Sequence, residues 1–164
     1  LRPRRQRQMC IRDSSNTAWL ILRSLETLKV RVQAATDGAK QVVDFLKEHP
    51  LITRIDYPGM LAEDNPQYAV YKKQCTGAGS TFSFEVKGGE AKAFSVLNKL
   101  KLVKLAVSLG GTESLAQHPA AMTHSGVPKE RRDEIGVTEG LIRISIGIED
   151  PQDLIADLRQ ALED

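Results

Sequence analysis

Apolar residues recur every three or four positions along the first third of the chain, which is the spacing of one helix face. This stripe comprises Ala18, Ile21, Leu22, Leu25, Leu28, Val32, Ala35, Ala39, Val42, Val43 and Leu46. It predicts one long helix from Thr17 that is bent or broken near Asp37-Gly38, or two core helices joined at Gly38. His49-Pro50 ends the helix, because the residue before a proline disfavours helical geometry. A single helix of this length would connect two domains or pack against another subunit.

Period-two alternation predicts strands further along the chain. The clearest one places Phe82, Phe84 and Val86 on one side. A second, from Leu141 to Ile148, places Ile142, Ile144, Ile146 and Ile148 on one face, with Arg143 and Ser145 on the other. Weaker patterns predict strands at Ile52–Tyr57 and Leu102–Val107.

Helical patterns separate these strands. They predict helices at 65–74 and 90–101, a short helix between Pro128 and Gly136, and a terminal helix that Asp150 caps and Pro151 begins. Leu154, Leu158 and Leu162 form the buried stripe of that last helix. Both clear strands bury only one face, which predicts an α+β fold with helices on one side of a mainly antiparallel sheet. The polar face of the sheet is then left to meet something else.

Composition narrows the class of protein. A chain of 164 residues, 41% of them apolar, suits one soluble domain with a single core. No apolar run approaches the roughly 20 residues that span a membrane. Cys10 and Cys75 have neither metal-ligand spacing nor the number expected of a disulfide scaffold, which favours a reducing, cytoplasmic setting.

The net charge of +2 depends on a basic segment at residues 1–13. A basic arm can bind nucleic acid or an anionic surface, but this one lacks interleaved aromatic residues and any nucleic-acid-binding module. Part of it resembles a translated sequencing adaptor, so we interpret 1–13 as a non-native arm. We expect no nucleic-acid or membrane partner. The predicted organisation is this arm, a linking helix or helix pair at 14–50 and an α+β domain at 51–164.

Several side chains are candidates for chemistry. Arg143 lies on the polar face of its strand. An arginine there is either solvated or ion-paired, or it binds a carboxylate through two parallel hydrogen bonds from its planar guanidinium group. Ser108 reads as a turn residue, since no Asp/His arrangement supports it as a nucleophile. The spacing of His118 and His124 fits neither a zinc finger nor one helix face, so we interpret both as structural and expect no metal.

Three short motifs lie close together in this half of the chain. They are Ser108-Leu109-Gly110-Gly111-Thr112-Glu113-Ser114-Leu115, His118-Pro119-Ala120-Ala121-Met122-Thr123-His124 and Ile142-Arg143-Ile144-Ser145-Ile146-Gly147-Ile148-Glu149-Asp150. Together they resemble the small C-terminal domain of the Cys/Met-metabolism family of pyridoxal-phosphate (PLP) enzymes, which have fold type I. The resemblance covers nearly all of residues 19–162. It implies that Ser108 and Arg143 bind the substrate α-carboxylate and that Thr123 lines the substrate pocket.

The same resemblance implies a larger enzyme. In the family, PLP forms a Schiff base with a lysine of a large N-terminal domain, and no lysine of this chain has a matching context. We therefore expect a fragment that holds no catalytic or cofactor-binding residue and is inactive alone. The parent is expected to use PLP, to act on a sulfur-containing amino acid and to be a homotetramer built from dimers.

Val107 bears on the choice of substrate. Many cystathionine γ-synthases and γ-lyases carry Glu at the matching position, whereas the Ala-Val-Ser-Leu-Gly run around Val107 resembles methionine γ-lyases. An apolar residue there favours a γ-lyase acting on methionine or a close analogue. A cystathionine γ-synthase or a homoserine-ester sulfhydrylase is the alternative within the family. A non-catalytic ligand-binding or protein-interaction module is the alternative of another class, and the upstream reading frame would distinguish the two classes.

Overall fold

A computed structural model of the chain describes residues 14–163. Two helices come first, α1 (Ser15–Leu25) and α2 (Leu28–Lys47). The Ser14 side chain caps α1 by accepting a hydrogen bond of 3.1 Å from the backbone N–H of Thr17. The interpretation of residues 1–13 as a non-native arm lies outside the described residues.

The helices separate at Glu26 and Thr27, so the bend predicted near Asp37-Gly38 is wrong. Gly38 lies buried inside α2. A Cβ atom added there would lie 3.4 Å from Ile146 and 3.6 Å from Pro151. These are ordinary van der Waals distances, so Gly38 packs against the segment after the last strand, and the glycine neither bends nor ends the helix.

Five strands form one sheet. They are β1 (Ile52–Asp56), β2 (Thr81–Val86), β3 (Lys104–Leu105), β4 (Leu115–Gln117) and β5 (Leu141–Ser145), and their spatial order is β1-β2-β5-β4-β3. Every neighbouring pair is antiparallel except β3 with β4, which is parallel. The predicted α+β class with a mainly antiparallel sheet is confirmed.

The remaining helices connect the strands. A 3-10 turn (Pro58–Met60) and α3 (Tyr68–Gln74) join β1 to β2, α4 (Gly89–Lys99) follows β2, α5 (Lys129–Glu134) precedes β5, and α6 (Pro151–Leu162) ends the described chain. Asp150 caps α6, accepting 2.8 Å from the backbone N–H of Gln152, as predicted. None of the helices within 14–163 combines the length and apolar character needed to cross a lipid bilayer.

One face of the sheet carries the hydrophobic core. Helices α2, α4 and α6 pack there, and the buried residues include Phe82, Phe84, Val86, Ile142, Ile144, Ile146, Leu154, Leu158 and Leu162. The predicted alternation of β2 and β5 therefore places the correct side chains inward. Ile148 is the exception, with 46% of its surface exposed, because β5 ends at Ser145 and the chain no longer follows the sheet there.

The strand predicted at Leu102–Val107 is shorter in the structure, where β3 spans Lys104–Leu105, and a contact with α6 occupies the residues just before it. The Asp157 carboxylate accepts hydrogen bonds of 2.8–2.9 Å from the backbone N–H groups of Lys101, Leu102 and Val103. These bonds take up the donors that an extended strand would offer to a neighbour. Burial raises the pKa of the Asp157 carboxyl, but the backbone hydrogen bonds outweigh burial and hold the pKa below its usual value.

Candidate carboxylate-binding site

A row of polar residues crosses the face of the sheet opposite the core. Arg143 of β5 lies directly opposite Ser83 of β2 on one side and Gln117 of β4 on the other. Side chains that face each other across antiparallel strands project to the same side of the sheet. Alternation along β5 thus places the Arg143 guanidinium at the middle of this face, away from the isoleucine side chains of the core.

The Arg143 side chain is half-buried and touches the turn that carries Ser108. Its Nη2 atom donates a hydrogen bond of 2.8 Å to the backbone carbonyl oxygen of Ser108. A guanidinium has five N–H donors in one plane, so this single contact orients the group without using its capacity to bind a carboxylate. The structure therefore brings together two of the predicted site residues, Arg143 and Ser108.

Ser108 and Val107 both lie on the surface. The contact with Arg143 uses the Ser108 carbonyl group, whereas the role implied by the resemblance uses the Ser108 hydroxyl group, which stays a prediction. The Val107 side chain is 56% exposed, and its neighbour Leu109 is exposed to a similar extent. Val107 thus presents an apolar surface next to Ser108, as a residue that contacts an apolar substrate group would.

Thr123 is connected to this row through Gln117. The Gln117 Nε2 atom lies 3.4 Å from Thr123 Oγ1, which also lies 2.9 Å from Nδ1 of His124. Gln117 is 1% exposed, and its Oε1 atom has no hydrogen-bond partner. Leaving a buried acceptor without a donor costs about 1–3 kcal/mol, so Gln117 has an oxygen free to accept a hydrogen bond in the strand position opposite Arg143.

Sequence reasoning did not single out Gln117. Its position opposite Arg143 depends on the register of β4, and a three-residue strand shows no usable alternation. The one available signal is its place directly before His118-Pro119 in the second motif.

His118 has a structural environment. Its Nε2 atom lies 2.8 Å from the carbonyl oxygen of Glu139, and its Nδ1 atom accepts a hydrogen bond of 3.1 Å from the backbone N–H of Ala121. The ring also packs edge-on against Phe94, with 4.8 Å between the ring centroids. The two ring nitrogens thus join the start of the loop that carries Thr123 to the segment before β5. Across residues 14–163, no group of three or more His, Cys, Asp or Glu residues is placed to hold a metal ion.

The turn after Ser108 is attached to β5 at a second point. The backbone N–H of Gly110 donates a hydrogen bond of 3.0 Å to the Oγ atom of Ser145, a side chain that is 1% exposed. Gly110 has φ of +75°, a conformation that glycine adopts without strain. The turn therefore folds back over the polar face of β5, which keeps Ser108 beside Arg143.

Comparison with protein families and curated proteins gives one consistent result. The family model described as Cys/Met metabolism PLP-dependent enzyme matches residues 4–163. An L-methionine gamma-lyase of Fusobacterium nucleatum subsp. polymorphum is 49% identical over 146 residues, which cover 89% of this chain and 36% of that protein. A cystathionine gamma-lyase of Bacillus subtilis is 44% identical, with coverages of 89% and 38%. The chain spans a little over a third of these relatives.

Solved structures with a similar fold also include enzymes of sulfur amino acid metabolism. A putative O-acetylhomoserine (thiol)-lyase from Campylobacter jejuni, which carries N'-pyridoxyl-lysine-5'-monophosphate, superposes with a TM-score of 0.82 at 40% identity. The match covers 91% of this chain and 35% of that one. Cystathionine gamma-lyase from Micromonospora echinospora superposes with a TM-score of 0.81 at 42% identity, covering 88% of this chain and 37% of that one.

Proposed function

This chain belongs to the Cys/Met metabolism family of PLP-dependent enzymes, and we propose that it is the part of a sulfur amino acid γ-lyase that binds the substrate α-carboxylate. The observation that carries the proposal is the placement of Arg143 at the centre of a polar sheet face, with its guanidinium oriented by the Ser108 carbonyl. A guanidinium group held in this orientation can donate two parallel hydrogen bonds to the two oxygens of a carboxylate.

The residues of this chain would bind and orient the substrate. Arg143 pairs with the α-carboxylate, the Ser108 hydroxyl donates a further hydrogen bond to it, and Thr123 lines the pocket on the side of Gln117. Holding the carboxylate at one end fixes the direction of the bonds at the neighbouring α-carbon, and orientation of this kind lowers the barrier of the reaction.

Pyridoxal phosphate is the cofactor of the family, and it supplies the electron sink for charge that develops next to the substrate amine. The Gly110-Gly111 turn does not fit its phosphate, because it leads into β4 and not into the helix N-terminus that cradles phosphates in glycine-rich loops. We assign no cofactor-binding or catalytic residue to this chain. The cofactor would be bound by the remainder of the enzyme, an N-terminal PLP domain.

The substrate that we propose is methionine or a close analogue. Val107 supports this choice, since its exposed apolar side chain suits a thioether and offers no charge to a distal amino group. A cystathionine γ-synthase or a homoserine-ester sulfhydrylase is the second candidate, because an O-acetylhomoserine (thiol)-lyase is among the similar structures.

Helix α1 supports the proposal that more protein surrounds this domain. It contains no buried residue, and Trp19, Leu22 and Leu25 are each more than half exposed. A contiguous apolar surface of this kind is typical of an interaction site. In the proposed enzyme it is available to the PLP domain or to another subunit of a homotetramer in the cytoplasm. A non-catalytic binding module would have this surface too, so the reading frame upstream of Thr17 distinguishes the two. An enzyme requires a PLP domain there.

The test is Arg143→Lys in the complete enzyme encoded by the reading frame that contains this chain. Lysine keeps the charge but loses the bidentate fork, so we expect kcat/KM for methionine to fall. Loss of a charge-assisted hydrogen bond of about 1.5–3 kcal/mol corresponds to roughly a 10- to 150-fold decrease. Folding and PLP absorbance should change little, because the side chain projects away from the core.

Substrate analogues and a second arginine provide the controls. Arg131→Lys alters an exposed arginine that pairs with Glu134 on α5, and it should leave kcat/KM unchanged. Analogues with a neutral amide in place of the α-carboxylate should be affected little by Arg143→Lys. Equal losses for acids and amides would show that Arg143 is a structural strand residue and that the carboxylate assignment is wrong.

A further inference from the structure

We propose that Glu149 is a positioning residue for Arg143, acting through Ser114 and the turn that begins at Ser108. The inference rests on the proposed function, because it concerns the same carboxylate-binding arginine. Glu149 follows β5 and is half-buried, and sequence analysis assigned it no role. Its contacts show how the end of β5 holds the turn on which Arg143 rests.

Alternate residues of β5 and its extension all bind one short segment, which we call the anchored turn (residues 108–114). Arg143 donates to the carbonyl of Ser108, and Ser145 accepts from the backbone N–H of Gly110. The backbone N–H of Gly147 donates 2.9 Å to Ser114 Oγ, and Glu149 accepts from Ser114. Every second position from 143 to 149 thus contacts the anchored turn, at Ser108, at Gly110 and, twice, at Ser114.

The contact at Glu149 is the strongest of the series. Its Oε1 atom accepts a hydrogen bond of 2.6 Å from the backbone N–H of Ser114, and its Oε2 atom accepts one of 2.8 Å from Ser114 Oγ. Both oxygens of an ionised carboxylate are therefore used on one residue, and hydrogen bonds to a charged acceptor are about twice as strong as neutral ones. Ser114 is fully buried, so its N–H and hydroxyl groups have no access to water as an alternative partner.

Gly147 shows how closely the two segments approach. A Cβ atom added there would lie 2.3 Å from the carbonyl oxygen of Thr112 and 2.6 Å from Glu149 Oε2. The same carbonyl of Thr112 accepts 3.0 Å from the backbone N–H of Ile148. Only glycine permits this approach without a shift of the backbone, so the far end of the anchored turn lies directly against the chain that follows β5.

The consequence for Arg143 follows from the length of the turn. Five residues separate Ser108 from Ser114, and the end at Ser108 is exposed while the end at Ser114 is buried. When the buried end is released, the exposed end loses the constraint that keeps its carbonyl 2.8 Å from Arg143. Release would move the Ser108 carbonyl, which orients the guanidinium. Val107, the residue before Ser108, would move with it.

The first test measures the turn in the 164-residue chain by amide hydrogen exchange. Glu149→Ala should speed exchange at Ser114, which loses its acceptor, and also at Gly110, whose own bond to Ser145 the substitution does not touch. Exchange at Ile144, in the middle of the sheet, should stay unchanged. Glu113→Ala is the matched control, because it removes an exposed carboxylate from the same turn and should affect neither Ser114 nor Gly110.

The second test measures substrate use in the complete enzyme. Glu149→Ala should lower kcat/KM for the amino acid by about 10- to 100-fold, since misplacement on the order of 1 Å has effects of this size. Analogues with an α-carboxamide should be affected much less, and PLP absorbance should be retained. Glu149→Gln keeps the shape of the side chain and should fall between Ala and the native residue, which gives a readout if the Ala variant folds poorly.

The two proposals fail in different ways. If Arg143→Lys distinguishes acids from amides but the Glu149 variants change neither Gly110 exchange nor acid use, the positioning role is wrong and the carboxylate site stands. Equal losses for acids and amides in the Glu149 variants would also overturn the positioning role. If Arg143→Lys does not distinguish acids from amides, the proposed function fails, and with it the role of Glu149 toward that function, whatever the exchange at Gly110.

Discussion

At the scale of single residues, Ser108 has two groups that serve different purposes. Its carbonyl oxygen orients Arg143, whereas its hydroxyl group is the one proposed to reach the substrate. Because backbone contacts survive side-chain truncation, the two contributions can be separated by mutation. Replacing the Ser108 side chain therefore removes the contribution of the hydroxyl group and leaves that of the carbonyl group in place.

Ser108→Ala in the complete enzyme should therefore lower kcat/KM less than Arg143→Lys does. A neutral hydrogen bond contributes about 0.5–1.5 kcal/mol, which corresponds to roughly a 2- to 12-fold loss. Steady-state kinetics with methionine measures the effect, and Ser125→Ala, at an exposed position, should have none. A loss as large as that of Arg143→Lys would mean that the hydroxyl contributes more than a neutral donor can.

Residues of the site differ in how far the sequence predicts them. Arg143 is placed on the polar face by the alternation of its own strand, which is a local property. Glu149 and Ser114 meet across 35 positions of the chain, and Gln117 meets Arg143 through strand register. Such pairings depend on the path of loops, which hydrophobic periodicity does not encode. Periodicity therefore predicts the local placement of Arg143, whereas the long-range pairing of Ser108 with Arg143 is expected only from the motif resemblance. The pairing of Glu149 with Ser114 is not predicted.

At the scale of elements, the structure differs from the sequence prediction at a glycine within a helix and at two short strands. Gly38 suggested a break because glycine is unfavourable in a helix, by about 1 kcal/mol relative to alanine. The structure shows that the helix continues through Gly38 despite this intrinsic preference, within a helix whose inner face is buried in the core. Strand β4 is too short for its pattern to be recognised, and the strand predicted at Leu102–Val107 contains β3 but is longer than the observed Lys104–Leu105. Helix α6 and strands β2 and β5 were predictable because each has a long, regular stripe.

Asp157 shows how one side chain joins two elements, and it gives a stability prediction. Asp157→Asn removes one of the two acceptor oxygens that hold Lys101, Leu102 and Val103, so it should lower the free energy of unfolding at pH 7 by about 1–3 kcal/mol. Urea unfolding of the 164-residue chain measures this. Asp64→Asn, in an exposed loop, is the matched control and should change little.

The contribution of Asp157 to the free energy of unfolding should depend on pH. The pKa of Asp157 is lower in the folded chain than the value of about 3.9 expected in the unfolded chain. A lowered folded pKa means that the ionised form stabilises the fold above the unfolded pKa, and that this contribution is lost as the pH falls through the folded pKa. The difference between native chain and Asp157→Asn should thus shrink below about pH 4. A difference that grows on acidification would contradict the hydrogen-bonding account.

At the scale of the whole molecule, the apolar stripe of α1 identifies an apolar helix face but not the surface that covers it. The stripe predicted that Ile21, Leu22 and Leu25 share one helix face, but these side chains are more than half exposed. An amphipathic pattern indicates that one face suits an apolar partner, without saying which partner covers it. The continuation of the stripe in α2 does enter the core, with Ala39, Val42 and Leu46 fully buried.

The division of labour between this domain and a PLP domain gives the last prediction. In the proposed function this chain supplies Arg143 to bind the substrate carboxylate, whereas its Gly110-Gly111 turn does not fit a phosphate. We therefore expect the 164-residue chain alone neither to bind PLP stoichiometrically nor to turn over methionine. Titration with PLP, followed by borohydride reduction and peptide mapping, should find no single labelled lysine, and the complete enzyme treated in parallel should show one in its N-terminal part. Stoichiometric label on one lysine of this chain would show that it binds the cofactor itself.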